Sequence, residues 1–289
     1  MRMIPELMHL PMNPELKGQA ELIGPLTYSR NGQKLILMLP WAPKDDRTHR
    51  APCPVILFVQ GSAWTSPNLN YEIPMLSRYA EEGFAVATVT HRSIADGFPF
   101  PAFLEDVKCA VRFLRAHAAQ YALDPERIAA FGTSSGGHTV CMLGLTGDDP
   151  AFRTDEYPDV SDSVCSVISC FGPTDLNDLF AFYHHRKGEP NEWLASAFGP
   201  DADAWDEQMR RYSPTALVRD GQPYPPFLLL HGTADTVVPV RQMDALYTRL
   251  KDAGAKVTAW YVDGAEHEGN FWSREVRIVI HNELMRLMP

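Results

Sequence analysis

The chain has 289 residues, 45% of them hydrophobic and 21% charged, with a formal net charge of −10 at pH 7. That size and composition can bury a large core, and a single α/β domain spanning residues 1–289 is expected. The acidic balance, relieved only by the short basic run His184-His185-Arg186-Lys187, argues against a nucleic-acid backbone or an anionic membrane as partner and leaves small neutral or cationic ligands.

Pro5, Pro11, Pro14, Pro25 and Pro40 interrupt the first forty residues, which show no charged start followed by an apolar run of export-signal length. No stretch approaches the ~18 consecutive apolar residues of a membrane span. Cys53, Cys109, Cys141, Cys165 and Cys170 are odd in number and lack C-x-x-C spacing, unlike a disulfide framework or a zinc site. A reduced, cytoplasmic setting is therefore expected. The oligomeric state is not legible.

Leu26–Tyr28 and Lys34–Leu39 flank Ser29-Arg30-Asn31-Gly32, a hairpin signal that predicts an antiparallel start to a sheet. After the charged, proline-rich loop from Pro43 to Pro54, the run Val55–Val59 shows no alternation, as expected of a strand buried on both faces. It ends in Gln60-Gly61-Ser62-Ala63-Trp64. Glu72–Glu82, closed by Gly83, predicts the first crossover helix. Phe84–Val89 predicts a strand, and His91–Pro101 a loop. From Ala102, the residues Phe103, Val107, Ala110, Val111 and Leu114 recur at helical spacing, with Glu105, Asp106, Lys108, Arg112 and Arg115 between them. This predicts an amphipathic helix with its apolar face on the sheet.

Asp124-Pro125 marks a turn, and Ile128–Phe131 a strand that runs straight into Gly132-Thr133-Ser134-Ser135-Gly136-Gly137 and a helix. A strand that turns at once into a helix through G-x-S-x-G holds its serine in an exposed, strained elbow at the positive end of the helix. Ser134 is the predicted nucleophile; Ser135 in that role would need glycine where Thr133 stands. Val164–Phe171 predicts the sixth strand. Residues 175–212 break the alternation and hold Phe180, Phe182, Tyr183, Trp193, Phe198 and Trp205, either as a lid or insertion between the sixth and seventh strands or as two short amphipathic helices packed on the body. Alternation resumes with Phe227–Leu230, Val240–Ala253 closed by Gly254, Val257–Val262 and a final helix from about Arg274. About eight strands in a mostly parallel sheet, with helices on both faces, are therefore expected.

In such sheets ligands bind at the carboxyl ends of the strands. A serine hydroxyl needs a base and a carboxylate to orient that base, in the chain order Ser, Asp or Glu, His. Asp235, in His231-Gly232-Thr233-Ala234-Asp235, and His267, in Asp263-Gly264-Ala265-Glu266-His267, follow two strands in that order. Asp263 and Asp175 are the alternative acids. His231 reads as structural, and His281 lies in the final helix. Amide donors for the developing oxyanion are each worth on the order of 3 kcal/mol. They are expected from Ser135, after the nucleophile, and from Ser62 and Ala63 in the loop after the third strand. Trp64 and Phe100 could line a substrate pocket, although core packing is the alternative for each.

These segments, with Phe100-Pro101-Ala102, Glu105-Asp106-Val107-Lys108, Asp124-Pro125-Glu126-Arg127-Ile128 and Phe171-Gly172-Pro173-Thr174-Asp175-Leu176, give the chain from about residue 50 onward a resemblance to the α/β-hydrolases of the esterase and lipase type. Specifically it resembles the bacterial family of bifunctional feruloyl and acetylxylan esterases. The resemblance implies an α/β-hydrolase fold, with Ser134 as nucleophile, Asp235 as acid, His267 as base, Ser62, Ala63 and Ser135 as oxyanion donors, and no metal or organic cofactor. It also implies short-chain acyl esters, acetyl or feruloyl, of small molecules or oligosaccharide fragments as substrates. Amide hydrolysis by a formamidase or peptidase, and a non-catalytic binding protein, are the alternatives. Where many relatives have His-Gly-Gly this chain has Gln60-Gly61-Ser62, so an amide side chain stands in place of a histidine brace.

Overall fold

The computed structural model describes residues 10–43, 51–184 and 191–287. Residues 185–187 of the basic run and 44–50 of the loop before the third strand lie outside the described residues. Among the described residues eight strands form one sheet: β1 (Ala20–Thr27), β2 (Lys34–Pro40), β3 (Cys53–Val59), β4 (Ala85–Val89), β5 (Leu123–Thr133), β6 (Ser166–Cys170), β7 (Phe227–Gly232) and β8 (Val257–Val262). Their spatial order is β1-β2-β4-β3-β5-β6-β7-β8. β1 pairs antiparallel with β2, with Leu26 opposite Leu35, across a turn in which the Gly32 N–H donates to the Ser29 carbonyl at 3.0 Å. β2 is also antiparallel to β4, and every later pair is parallel.

The helices are α1 (Ile73–Glu81), α2 (Ala102–Ala116), α3 (Ala118–Tyr121), α4 (Ser135–Leu145), α5 (Leu176–Phe182), α6 (Glu192–Phe198), α7 (Trp205–Arg211), α8 (Pro214–Leu217), α9 (Arg241–Asp252) and α10 (Arg274–Met285). Every residue of β3, β4, β6 and β7 is buried, which is why these runs lack a polar period: helices cover both faces. Along β3, Val55, Leu57 and Val59 join the core formed with Phe103 and Leu104 of α2, Val140 of α4 and Met243 of α9. Ile56 and Phe58 face the opposite core, with Leu76 of α1 and Val276 and Ile280 of α10.

Two local expectations are corrected. The elbow strand starts earlier than its apolar run, at Leu123, and the turn at Asp124-Pro125 becomes an irregularity within it: Cys53 pairs with Leu123, and Val55 next with Ile128. α2 is not polar on its far face. Asp106, Lys108 and Arg112 are buried along with its apolar side, because the connection of residues 147–163 folds over Lys108 and Arg112 and Arg92 pairs with Asp106. Lys108 Nζ and Arg112 Nη1 bind the two oxygens of Asp162 at 2.6 and 2.8 Å, and Asp106 takes Arg92 Nε at 2.9 Å.

Within residues 175–212, α5, α6 and α7 are short helices that bury Leu179, Phe180, Leu194, Ala197, Trp205 and Met209, Leu194 and Ala197 being fully covered. The described residues of 175–212 thus form a helical insertion between β6 and β7.

Candidate active site

The elbow at the end of β5 is dictated by close backbone approach. A Cβ on Gly132 would lie 2.3 Å from the Gly136 carbonyl oxygen, and one on Gly136 would lie 2.0 Å from that of Val59. With both positions reduced to backbone, α4 starts against β3 and β5, and the residue between strand and helix is forced to φ 51° and ψ −125°. That residue is Ser134. Its N–H donates to the Cys170 carbonyl at 3.0 Å, and its carbonyl accepts the His138 N–H at 3.0 Å, so the side chain alone is left to face outward.

Three strand ends bring three side chains into one hydrogen-bonded row. His267 follows β8 and places Nε2 3.0 Å from Ser134 Oγ; its Nδ1 lies 2.8 Å from Oδ2 of Asp235, which follows β7. With Nδ1–H donated to the carboxylate, Nε2 is the lone-pair nitrogen and accepts the serine proton. Burial pushes the Asp235 carboxyl pKa up, but hydrogen bonds from His231, His267 and the Val238 N–H outweigh it and hold the group well below the usual carboxylate range. Oδ1 also accepts the Val237 and Val238 N–H groups at 2.8 Å each. The carboxylate is thus ionised and fixed.

The alternative residues are used elsewhere. Asp175 caps α5 through the Asp178 N–H at 3.0 Å, and Asp263 is exposed at the end of β8. His231 is buried and holds the far side of Asp235: its Nε2 lies 2.7 Å from the Val238 carbonyl and 3.2 Å from Oδ2. His281 meets Glu82 between α10 and α1 at 3.1 Å.

The loop after β3 departs from expectation at one amide. The Ser62 N–H donates to Ser135 Oγ at 2.8 Å, and the Gly61 N–H donates to Thr133 Oγ1 at 2.9 Å. The hydroxyls on either side of Ser134 therefore grip this loop, and Ser62, expected to face an oxyanion, is already committed. Among the described residues the Ala63 and Ser135 N–H groups have no hydrogen-bond partner, and Ala63 is exposed. Gln60 serves the scaffold: its Oε1 accepts the Asn68 N–H at 2.6 Å and closes the loop.

Trp64 and Phe100 are also corrected. Two successive left-handed residues, Ala63 at φ 50° and Trp64 at φ 58°, turn the indole inward. Trp64 is 4% exposed and Phe100 7%. Trp64 meets Trp193 of α6 at 5.6 Å between ring centroids, Phe100 meets Phe198 at 4.9 Å, and the Phe100 N–H donates to the Ala197 carbonyl at 2.8 Å. Both rings form the seam between body and insertion and do not line an open pocket.

Residues that sequence reasoning passed over sit next to the motifs it used. Thr133 flanks the nucleophile. His138, one turn into α4, accepts the Trp64 indole N–H on Nδ1 at 3.1 Å and donates from Nε2 to the Tyr212 carbonyl at 2.8 Å. Burial pushes its pKa down to about 4, although the Tyr212 hydrogen bond opposes the shift. Phe171 sets its ring 4.7 Å from that of His267. Glu268, directly after His267, holds a left-handed φ of 64°. Adjacency to a motif was the available signal for each. No group of three or more His, Cys, Asp or Glu residues that could hold a metal occurs among the described residues, and no helix among them is long and apolar enough to cross a membrane.

A family model described as BD-FAE matches residues 43–250. Esterase LipC of Mycobacterium tuberculosis is 33% identical over 213 residues, covering 73% of this chain and 51% of LipC. The probable carboxylic ester hydrolase LipM of the same organism is 28% identical over 229 residues, with coverage of 79% and 51%. The chain thus spans about half the length of these curated relatives. Among solved structures, a truncated carbohydrate esterase from gut microbiota matches with a TM-score of 0.75 at 26% identity, covering 95% of this chain and 98% of that one. A bifunctional GH43-CE protein of Bacteroides eggerthii matches with a TM-score of 0.77 at 29% identity, covering 93% of this chain and 38% of that one.

Proposed function

This chain belongs to the BD-FAE family, of the α/β-hydrolase esterase type, and from that premise we propose that it is a serine carboxylic-ester hydrolase that removes short acyl groups, acetyl or feruloyl, from carbohydrate fragments. The observation that carries the reading is the row Ser134 Oγ, His267 Nε2, His267 Nδ1, Asp235 Oδ2, with spacings of 3.0 and 2.8 Å across its two hydrogen bonds. A hydroxyl so placed loses its proton to the imidazole as it attacks a carbonyl carbon. The carbonyl oxygen becomes an oxyanion beside the Ala63 and Ser135 amides, next to the N-terminus of α4. His267 returns the proton to the departing alcohol oxygen. Water, deprotonated by the same nitrogen, then attacks the acyl-serine and releases the acid. The buried, ionised Asp235 stabilises the imidazolium formed in both halves and needs no proton of its own.

Carbohydrate esters are favoured as substrates by the two solved structures named for carbohydrate esterase modules. The whole chain acts as one catalytic domain, with α6 roofing the seam over Trp64 and Phe100. Hydrolysis of p-nitrophenyl acetate and of acetylated xylo-oligosaccharide, set beside a formyl amide, tests the reading. The wild type cleaves both esters faster than the amide and is labelled by an organophosphate. Ser134→Ala keeps the fold and loses on the order of 10⁴-fold or more in kcat. Ester hydrolysis at the wild-type rate in that variant rejects the assignment.

A further inference from the structure

Tyr71, Glu72, Glu268 and Trp272 bound a cleft of about 470 Å³, which Arg78 and Arg277 also line; that volume lies in the range of small-molecule sites. We propose that this cleft is the subsite for the alcohol portion of the substrate and that it takes a neutral, hydroxyl-rich ring such as a pyranose. The proposal rests on the ester-hydrolase reading and adds to it where the leaving group sits and by what chemistry it is held.

Position is the first argument. The departing oxygen must take its proton from His267 Nε2, so the alcohol extends on the His267 side of the scissile bond, while the carbonyl oxygen turns to the Ala63 and Ser135 amides. Glu268 is the residue after His267, and the Phe171 ring touches both His267 and Trp272, at 4.7 and 6.0 Å between centroids. The cleft is therefore lined by the residue that follows His267 and by a ring one phenylalanine away from it.

The lining chemistry is the second. Tyr71 is 66% exposed, a large aromatic face held out at the rim. The Trp272 indole N–H donates to Glu268 Oε2 at 2.9 Å, which fixes ring and carboxylate together, and among the described residues Oε1 has no hydrogen-bond donor. Glu72, half-buried at the start of α1, makes no capping bond to its own helix. Burial, and the Glu268 charge nearby, push its pKa up to about 7. At neutral pH it can thus donate as an acid or accept as a carboxylate, as a hydroxyl partner requires. Two carboxyl groups and the two arginines leave the cleft without a large charge of either sign, so neither a cation nor an anion has a field to draw it in. Aromatic faces for C–H surfaces and carboxyl oxygens for hydroxyls are the complement of a sugar ring.

The experiment compares kcat/KM for acetylated xylotriose with that for ethyl acetate, which carries the same acyl group on an alcohol too small to fill the cleft. In Tyr71→Ala and in Glu72→Ala the ratio of the two values is expected to fall at least tenfold, with circular dichroism unchanged. Unacetylated xylotriose is expected to inhibit wild-type hydrolysis of ethyl acetate competitively. This second arm decides the matter should a variant fail to fold. A ratio within twofold of wild type in both folded variants overturns the subsite, as does absence of xylotriose inhibition. Preference for acetylcholine over acetylated xylotriose overturns the neutral-ring assignment. A wild type inert toward every ester sinks the hydrolase reading itself, and the subsite with it.

Discussion

At the residue scale, a single hydrogen bond decides which amides can face a carbonyl oxygen beside Ser134. Ser135 Oγ accepts the Ser62 N–H at 2.8 Å, from a residue 73 positions away in the chain. With the Gly61 N–H held on Thr133 Oγ1, it clamps the loop that carries Ala63. Removing the hydroxyl in Ser135→Ala costs stability by about 1 kcal/mol, the net worth of one such bond. In the proposed reaction the larger effect is on catalysis: a loosened loop misplaces the Ala63 amide, the proposed oxyanion donor, and forfeits part of the ~3 kcal/mol that such a donor supplies. Turnover of p-nitrophenyl acetate is expected to fall about tenfold in kcat, with KM within about threefold. A rise in kcat would count against the clamp, since it would mean that the released Ser62 amide serves better than the fixed one. The sequence could name Ser62, Ala63 and Ser135 because the elbow and the loop after β3 are local patterns. It could not divide them, because whether an N–H is free depends on a side-chain rotamer on another element. The same applies to Trp64: its place beside the loop was legible, but the inward turn depends on two left-handed residues that no spacing announces.

At the scale of the element, strands and helices were legible wherever their period was intact. β8 occupies the predicted Val257–Val262, and α9 stops two residues short of Gly254, which holds φ 81°. α2 shows the limit. Its apolar spacing located the helix and the face turned to the sheet, but the cover on its polar face comes from residues 147–163, a non-local fact. Lys108, Arg112 and Asp162 all have side chains 0% exposed, so each charge depends on the others. Desolvation pushes the Lys108 pKa down against the pull of Asp162. Asp162→Ala strands two buried cations and is expected to lower the unfolding free energy by roughly 3–5 kcal/mol, measured in urea. The triple replacement Lys108→Met, Arg112→Leu and Asp162→Leu removes all three charges and is expected to recover most of that loss. If the single and triple variants are equally unstable, packing and not charge compensation holds α2.

For the whole molecule, acid sensitivity follows from histidines sealed inside it. His138 bridges three parts of the chain: the loop after β3 through Trp64, α4 on which it lies, and the insertion through Tyr212. Its ring is fully covered, as is nearly all of His91, which contacts the Arg92 carbonyl through Nδ1 at 2.9 Å. Desolvation pushes both pKa values down to about 4, against the opposing pull of one backbone hydrogen bond each. An unfolded chain regains ordinary histidines near 6.5, so between pH 4 and 6.5 these two rings bind more protons unfolded than folded and their contribution to stability rises with pH, while the partly exposed Glu72, raised to about 7, acts in the opposite sense and offsets part of it. Each ring contributes roughly 2–3 kcal/mol that is present above pH 6.5 and lost as pH falls toward 4. The depressed Asp235 carboxyl has the same sign but acts lower, as pH falls below its unfolded value near 3.8, because protonating it takes away hydrogen bonds that the carboxylate accepts. Urea unfolding is therefore expected to show lower stability at pH 4.5 than at pH 7, by the sum of the two rings less the Glu72 offset. His138→Gln can accept from Trp64 and donate to Tyr212 without titrating, so it should remove one ring's share of that difference, roughly 2–3 kcal/mol, while keeping most of the stability at pH 7. An unaltered slope in this variant would move the acid-labile site away from the seam, and His91→Gln would then be expected to flatten the curve alone.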